Sequence, residues 1–205
     1  MIKKLLIKKE ERTDVDGRSV KVSAEKFYSI EDPTKDFHCS EGLIKKEDLM
    51  KSNQTIKTNR DKEFFILDAD FMDSYRRIRK TAQTIPLKDL GFILAETGLN
   101  KKSVVVDTGS GSGGSACFFA QLVKKVYTYD VNDANLKQTT ENANYFGLKN
   151  IVIKKQNAYE KIPNKNVDMI LLDLPEPWNA VEQADKALKI GGFLVTYCPQ
   201  ITQSH

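Results

Sequence analysis

The stretch Val104-Val-Val-Asp-Thr-Gly-Ser-Gly-Ser-Gly-Gly114 is the strongest indicator of the fold. Its three β-branched residues predict a buried strand, and Asp107 stands at the carboxyl end of that strand. The glycines that follow predict a tight turn in which the backbone can approach a ligand closely. Since Gly109, Gly111 and Gly114 also satisfy the spacing G-x-G-x-x-G, a dinucleotide-binding turn is one interpretation of the stretch.

Two acidic strand ends indicate which ligand the turn would hold. Asp107 would place a negative charge beside a pyrophosphate, whereas it would attract a cationic, amino-acid-like ligand. The second strand end, Tyr127-Thr-Tyr-Asp130, lies at the spacing expected for a ribose-binding carboxylate, which both ligands require. A ligand with an ammonium group, a ribose and no phosphate is S-adenosylmethionine. The sequence favours this cofactor, with NAD and a purely structural glycine turn as the alternatives.

The composition narrows the class of protein. A length of 205 residues suffices for one good core and a small additional unit, and a net charge of +4 is compatible with a nucleic-acid substrate. Three cysteines without a C-x-x-C spacing and two histidines outside any ligand pattern predict no metal site. We expect neither a signal peptide nor a membrane span, and therefore a cytoplasmic protein.

The pattern changes near residue 67, so we predict a small N-terminal β domain over residues 1–67 and a second domain over residues 68–205. The first part shows short segments in which apolar and polar residues alternate, and these segments are separated by Asp, Gly, Pro and Asn. Its predicted strands are Lys4–Ile7, Val20–Val22, Lys26–Ile30 and Phe64–Leu67, with a tight turn at Asp16-Gly17 and a strand or short turn over Gly42–Leu49. Helices are predicted over Asp70–Lys80 and over Asp89–Thr97, the second closed by Gly98.

From Ser103 onward strands alternate with helices, which predicts an α/β fold with a parallel sheet. The predicted strands are Val104–Val106, Val126–Tyr129, Ile151–Lys154, Val167–Leu172 and Phe193–Tyr197, and the predicted helices are Ser115–Val123, Ala134–Phe146 (closed by Gly147) and Trp178–Leu188. Ligands of such sheets bind at the carboxyl ends of the strands, which is where Asp107, Asp130, Asn157 and Asp173 fall.

The motif Asp173-Leu-Pro-Glu-Pro-Trp178 and the closing Tyr197-Cys-Pro199 with Gln203 resemble the tRNA adenine-N1 methyltransferase family. Further family-like segments are Arg79-Lys-Thr-Ala-Gln83, Lys88-Asp89, the glycine loop, Asp130, and Asn144 to Gly147. The resemblance, which runs from roughly Gly42 to the C-terminus, implies a Rossmann-like, S-adenosylmethionine-dependent methyltransferase domain behind a small N-terminal β domain. It implies methylation of adenine N1 in the tRNA T-loop at position 58, with position 57 as an additional candidate, by a homotetramer.

Three departures from the family pattern bear on these expectations. Pro86-Leu87 reverses the usual placement of proline before the Lys-Asp pair, and Asn157 stands where an Asp commonly contacts the adenine of the cofactor. The family continues for some tens of residues past the position of Gln203, so we expect a naturally short or a truncated member. Such a chain should bind the cofactor through its complete half and methylate tRNA weakly.

The resemblance also implies a set of site residues. The cofactor would be bound by Gln83, Asp107, Gly109, Ser110, Gly111, Ser112, Gly113, Ser115, Asp130, Val131, Asn157, Ala158 and Asp173. The tRNA would be bound by Arg76, Arg77, Arg79, Lys80, Trp178 and Tyr197.

Several of these residues have an ordinary structural alternative, which for Asp107 is a solvent-facing strand end. Asp130 is alternatively an N-cap, Asn157 a turn residue and Gln83 a surface residue. The basic run is alternatively a solvated helix face, whereas Trp178 and Tyr197 alternatively pack against the motif loop.

Asp173 is the predicted catalytic residue. Adenine N1 carries its own lone pair, so it needs no deprotonation before it attacks a methyl group. As the bond forms, positive charge spreads over the purine and the N6 amino group becomes more acidic. A carboxylate beside N6 would stabilise that charge and then accept the proton. The alternative is a strand-end Asp that only caps a proline-rich turn.

Two other functions remain open for the sequence. A small-molecule methyltransferase of the corrin-pathway type would share the sheet and the glycine loop, but it gives no reason for the Asp-Leu-Pro-Glu-Pro-Trp motif. A non-catalytic tRNA-binding subunit would not need intact Asp107, Asp130 and Asp173.

Overall fold

The computed structural model describes residues 1–199, and backbone contacts divide the chain into two compact units, Met1–Arg77 and the part that begins at Ile78. The first unit thus extends beyond residue 67, where the sequence analysis places the boundary. The reason is a short helical segment after residue 67 that belongs to the first unit. Its Ser74 Oγ accepts a hydrogen bond of 2.9 Å from the backbone N–H of Ile2. Gln203, which belongs to the family-like closing segment, lies outside the described residues.

The first unit is built from antiparallel strands. Its elements are β1 (Lys4–Lys8), β2 (Glu11–Val15), β3 (Arg18–Ser23), β4 (Lys26–Ile30), β5 (Phe37–Cys39), β6 (Gly42–Ile44), α1 (Lys46–Leu49), β7 (Gln54–Lys57), β8 (Glu63–Asp68) and α2 (Phe71–Tyr75). Four of the strands form a sheet in the order β4-β1-β8-β7. Leu6, Ile44, Leu49 and Phe64 are buried in the core of this unit.

Several elements of the first unit differ from the prediction. The tight turn is confirmed, because Asp16 and Gly17 both have positive φ, 52° and 75°, between β2 and β3. Strands β2, β5 and β7 were not predicted. β2 is exposed along almost its whole length and carries mostly polar residues, so it shows no alternation. The segment Gly42–Leu49 contains both β6 and α1.

The predicted helix Asp70–Lys80 is wrong beyond Tyr75. Its start is as expected, because Asp70 and Asp73 form a reciprocal capping box at the N-terminus of α2. The backbone leaves the helix after five residues, and residues 78–86 are irregular. Part of that segment is held by hydrogen bonds to side chains of the second unit, to which it belongs.

The second unit alternates helices with strands. Its elements are α3 (Leu87–Thr97), β9 (Val104–Thr108), α4 (Gly114–Ala120), β10 (Lys125–Asp130), α5 (Asp133–Tyr145), β11 (Ile151–Lys155), β12 (Val167–Leu172), a 3₁₀ helix (Pro177–Ala180), α6 (Val181–Ala187) and β13 (Leu188–Thr196). The five strands form one sheet in the order β11-β10-β9-β12-β13, and every pair in it is parallel. The predicted α/β fold with a parallel sheet is confirmed.

The ends of two predicted elements are corrected. The helix predicted over Trp178–Leu188 consists of the 3₁₀ turn followed by α6, with Pro177 at the start of the turn. The strand predicted over Phe193–Tyr197 begins earlier, at Leu188, and its register against β12 shifts between Leu188 and Phe193, a stretch that contains Gly191 and Gly192.

The register of the central strand aligns three strand ends. Thr108 of β9 pairs with Tyr129 of β10 on one side and with Leu172 of β12 on the other. Asp130, Gly109 and Asp173 therefore follow at the same edge of the sheet. Within residues 1–199, no helix has the length and apolar character needed to cross a membrane.

Two glycines, one inside α3 and one directly after it, offer a test of the backbone conformation. Gly98 follows the helix with φ of 61°, whereas Gly91 lies inside the helix, and an added Cβ would meet no atom within 4 Å at either position. Gly98→Ala should destabilise the protein by about 1 kcal/mol because an L-residue is strained at this φ. Gly91→Ala should stabilise it by about 0.5–1 kcal/mol through helix propensity. Urea unfolding of both variants is the measurement. If both substitutions changed the free energy of unfolding in the same direction, the assignment of Gly98 as the helix terminator would be contradicted.

Candidate functional site

The aligned strand ends of the second unit border a cavity of about 590 Å³. The backbone N–H of Gly109 donates to Tyr129 O at 2.9 Å, and the N–H of Asp173 donates to Thr108 O at 3.0 Å. These bonds continue the ladder one step beyond the strands, with Asp130 on one side of Gly109 and Asp173 on the other. Cavities of this size at the carboxyl edge of a parallel sheet are typical ligand sites.

The structure brings eight of the predicted cofactor-binding residues together around the cavity. They are Gln83, Gly109, Gly111, Asp130, Val131, Asn157, Ala158 and Asp173. The remaining walls are formed by residues that the sequence analysis did not select. These are Ala82, Tyr129, Asn135, Gln156, Tyr159, Leu174, Pro175 and Pro199.

Gly109 is required by the close approach of two backbone segments. Its φ is +83°, and a Cβ at this position would lie 2.0 Å from the backbone oxygen of Asp173. Gly113 meets a second constraint, because a Cβ there would lie 2.9 Å from Cγ2 of Thr139 in α5. The two glycines thus permit the loop to pack against the Asp173 motif and against α5.

Asp130 is held in place by hydrogen bonds from the protein. Its Oδ2 accepts from the N–H of Gly111 at 3.0 Å and from Asn135 Nδ2 at 3.1 Å, while Oδ1 accepts from the N–H of Asn132 at 2.8 Å. The N-cap of α5 is Asn132, which excludes the alternative that Asp130 caps this helix. The Asp130 carboxylate therefore has a defined orientation, and it lines the cavity.

Asp173 is half-buried where β12 ends, and it lines the opposite side of the cavity from Asp130 across Gly109. Burial, and to a smaller extent the charge of Asp107, raise the pKa of the Asp173 carboxyl to about 7. A carboxyl group with such a pKa exchanges its proton readily near neutral pH, which suits acid-base chemistry.

Asp107 does not line the cavity, and this corrects the expectation that it faces a ligand. Its side chain is completely buried, and its oxygens accept hydrogen bonds from Ser115 Oγ at 2.7 Å and from Thr128 Oγ1 at 2.6 Å. Burial raises the pKa of Asp107 to about 6. The residue joins β9, α4 and β10 beneath the site, and it acts on the cavity through its charge.

Four other predicted cofactor residues are buried behind the cavity wall: Ser110, Ser112, Gly113 and Ser115. Ser110 Oγ donates to Asp130 at 3.3 Å, and Ser115 Oγ donates to Asp107. These hydroxyl groups position the two carboxylates, and their direct contact with a ligand stays a prediction.

Asn157 and Gln83 both lie at the cavity wall, but the side chain of Asn157 is hydrogen-bonded within its own turn, whereas Gln83 is exposed. The Oδ1 atom of Asn157 accepts from the N–H of Tyr159 at 3.1 Å, and its Nδ2 donates to Glu160 at 2.8 Å. Asn157 thus stabilises its own turn, as the structural alternative proposed. Gln83 is an exposed residue on the irregular segment before α3.

The predicted RNA-binding residues are distributed over both units. Arg76 and Arg77 are exposed residues of the first unit, and Arg79 and Lys80 are exposed residues of the second. Trp178 is 49% exposed, and both its contact with a base and its packing against the motif loop stay predictions.

Tyr197 is half-buried beside the end of β12. Its N–H donates to Leu172 O at 3.0 Å, and its hydroxyl donates to Asp89 Oδ2 at 3.4 Å. Burial and the charge of Asp89 raise the pKa of Tyr197.

Asn135 and Tyr159 are the most informative of the residues that sequence reasoning missed. Asn135 lies five residues after Asp130, on the first turn of α5, so it faces back toward the strand end. That spacing was the available signal. Tyr159 has no such local signal, because its hydroxyl accepts the N–H of Glu176 at 3.2 Å from a distant loop. Among residues 1–199, no group of three or more His, Cys, Asp or Glu could hold a metal ion.

Comparisons with known proteins bear on the identity of this site. Residues 77–205 match the family described as "tRNA methyltransferase complex GCD14 subunit". The chain is 31% identical to the tRNA (adenine(57)-N(1)/adenine(58)-N(1))-methyltransferase TrmI of Methanocaldococcus jannaschii, over 87% of this chain and 73% of that protein. It is 28% identical to the tRNA (adenine(58)-N(1))-methyltransferase TrmI of Thermus thermophilus, over 82% of this chain and 68% of that protein.

A solved structure agrees in fold. The SAM-dependent O-methyltransferase of Thermotoga maritima superposes with a TM-score of 0.76 at 26% identity, over 98% of this chain and 74% of that chain. The predicted Rossmann-like methyltransferase fold is thereby confirmed. With a family match that spans more than half of its length and an archaeal relative at 31% identity, the chain belongs to the tRNA methyltransferase family of the GCD14 subunits and TrmI enzymes.

Proposed function

We propose that this protein transfers a methyl group from S-adenosylmethionine to N1 of an adenine in the tRNA T-loop, at position 58, with position 57 as an additional candidate. The observation that carries the proposal is the placement of Asp130 and Asp173 on either side of Gly109, at one cavity. The Asp130 carboxylate suits the ribose of the cofactor, and the Asp173 carboxylate suits the adenine base. The names of the TrmI relatives support adenine N1 as the acceptor.

The residues around the cavity fit the cofactor. Asp130 lines the cavity, and within residues 1–199 its Oδ1 accepts one hydrogen bond, so acceptor capacity remains for ribose hydroxyls. Gly109 and Gly111 expose backbone without side chains, and Gln83 offers an amide for the carboxylate of the ligand. When bound, S-adenosylmethionine supplies an electrophilic methyl group on its sulfonium. Asp130 and Gln83 would then hold and orient the two polar ends of that molecule.

Asp173 would act on the adenine. Its carboxylate stabilises the positive charge that develops on the purine as N1 gains the methyl group, and it accepts the proton released from N6. Half-burial strengthens the electrostatic effect because fewer water molecules screen the charge. Pro175 and Pro177 stiffen the loop after Asp173 and limit its motion. Because N1 points inward in a folded T-loop, the base has to leave the loop to reach the site.

The tRNA itself would be bound through phosphate contacts to exposed cations, including Arg79 and Lys80. The homotetramer stays a prediction that rests on the family resemblance, and the cytoplasmic location stays a prediction that rests on the sequence.

Methyl transfer from labelled cofactor to unmodified tRNA, followed by nucleoside analysis, tests the proposal. We expect 1-methyladenosine in the T-loop. Labelling of a small corrin-type acceptor, with none in tRNA, would favour a small-molecule enzyme. Tight tRNA binding without transfer would favour a non-catalytic subunit.

Asp173→Asn keeps the size of the side chain and removes its charge and its basicity. We expect methyl transfer to fall by about 10²–10⁴-fold while binding of S-adenosylhomocysteine is largely retained. Glu176→Gln is the matched control, since Glu176 is an exposed acid of the same motif that accepts from Asn179 at 2.9 Å. Near-normal turnover of Asp173→Asn would remove Asp173 from the mechanism.

The pH dependence should report the titration of Asp173. Because the pKa of Asp173 is raised to about 7, the carboxyl holds its proton at lower pH and cannot accept another. We expect kcat/KM to fall about tenfold per pH unit below pH 7 and to level off above it. In Asp107→Asn the pKa of Asp173 should be lower, because a nearby negative charge is lost, and the midpoint should move to lower pH. A profile that is flat between pH 5.5 and 8 would contradict the assignment.

Asp130→Ala should weaken binding of S-adenosylhomocysteine by roughly 1.5–3 kcal/mol, the range for hydrogen bonds to a charged group. Titration calorimetry is the measurement, with thermal unfolding to verify that the glycine loop stays folded. Asp133→Asn is the control, because Asp133 is an exposed carboxylate three residues further on that pairs with Lys155. A tight NADH signal in the same experiment would instead support the dinucleotide interpretation.

A further inference from the structure

The irregular segment before α3 is bound to the glycine loop through one buried hydroxyl group. Ser112 Oγ accepts the N–H of Thr81 at 2.9 Å and the N–H of Ala82 at 3.0 Å, and it lies 3.0 Å from Ala82 O, to which it donates. These three bonds use the full hydrogen-bonding capacity of a serine hydroxyl. The segment is therefore fixed by the loop that borders the cavity.

Asn142 of α5 also joins the irregular segment to the glycine loop. Its Nδ2 atom donates to Arg79 O at 2.9 Å and to Ser112 O at 2.8 Å, so a single amide joins the segment to the glycine loop. Asn142 is only 3% exposed. Without its amide both carbonyls would lose a donor, and the lost bond to Ser112 O would be a buried one.

The joined segment carries groups for two different ligands. Gln83 lines the cavity, whereas Arg79 and Lys80 are exposed on the same short stretch. We propose that Asn142 is a positioning residue that orders this segment in advance for both the cofactor and the tRNA. The inference rests on the proposed function.

Ordering in advance has a thermodynamic signature. When the protein itself orders the segment, neither ligand has to supply that ordering free energy on binding. When the bridge is removed, the first ligand to bind orders the segment, and the second then binds more tightly. Loss of Asn142 should therefore weaken each ligand alone and increase the positive coupling between them. Loss of a residue that only stabilises the fold would change neither the affinity for each ligand alone nor the coupling between the two ligands.

The experiment measures binding of S-adenosylhomocysteine with and without unmodified tRNA, and binding of tRNA with and without S-adenosylhomocysteine. In Asn142→Ala we expect each single affinity to fall about fivefold or more, and the coupling factor to rise by a similar amount over the wild type. Thermodynamic linkage requires the two coupling factors to agree, which checks the data internally.

A matched control variant exists in the same domain. Asn150 Nδ2 also joins two carbonyls, Ala120 O at 2.9 Å and Val123 O at 3.1 Å, but it does so away from the cavity wall. Asn150→Ala should lower stability and leave both affinities and their coupling as in the wild type. Should Asn142→Ala fail to fold, Ser112→Ala removes the same connection from the loop side and should produce the same signature.

The proposed function and the proposed role of Asn142 can be contradicted separately. If the wild type binds S-adenosylhomocysteine but neither binds nor methylates tRNA, the proposed function is wrong. If the wild type methylates tRNA, and Asn142→Ala and Ser112→Ala leave the coupling factor unchanged or lower it, the role of Asn142 is wrong.

Discussion

The hydrogen-bonded ladder that joins β9 to β10 on one side and to β12 on the other is the constraint on which the site depends. In a parallel ladder the strands end at one edge, and their register decides which residues meet there. Thr108 is level with Tyr129 and Leu172, so the next residue of each strand enters the same cavity wall. Two carboxylates that are 43 positions apart in sequence thereby flank Gly109 (Asp130 and Asp173). The cofactor side and the base side of the proposed reaction are thus set by backbone geometry before any side chain adjusts.

The sequence predicted the parallel sheet well because its strands are short segments rich in apolar and β-branched residues, a local property. Val167–Leu172 agrees at both ends with the observed strand. The failures have non-local causes. The segment after Tyr75 has helical composition, yet its backbone groups bond to Ser112 and Asn142, which are distant in the chain. Likewise, β2 is a solvent-exposed strand, and burial is what creates the alternation that a sequence can display.

Residues of the candidate site could be predicted from the sequence where the ends of the strands could be predicted. Asp130 and Asp173 were selected for that reason, and both line the cavity. Asp107 was selected for the same reason, yet it lies two residues before the level of Asp130 and Asp173, and its side chain is buried between Ser115 and Thr128. Residues two apart share a face of a strand, so Asp107 lies deeper on the same face as Asp130, where Ser115 of α4 covers it, and sequence alone does not locate a strand end that finely. Tyr159 could not be found at all, since its role depends on a loop that follows β12.

The close packing at Gly109 changes what a glycine-rich motif can be taken to mean. Here the absence of a side chain accommodates the carbonyl of Asp173, which belongs to the same chain and not to any ligand. A related protein that had lost its cofactor would still need glycine at this position as long as its two strand ends met in the same way. Retention of the first glycine is therefore a record of how the strands join, and only the residues that face the open space can report on what binds there.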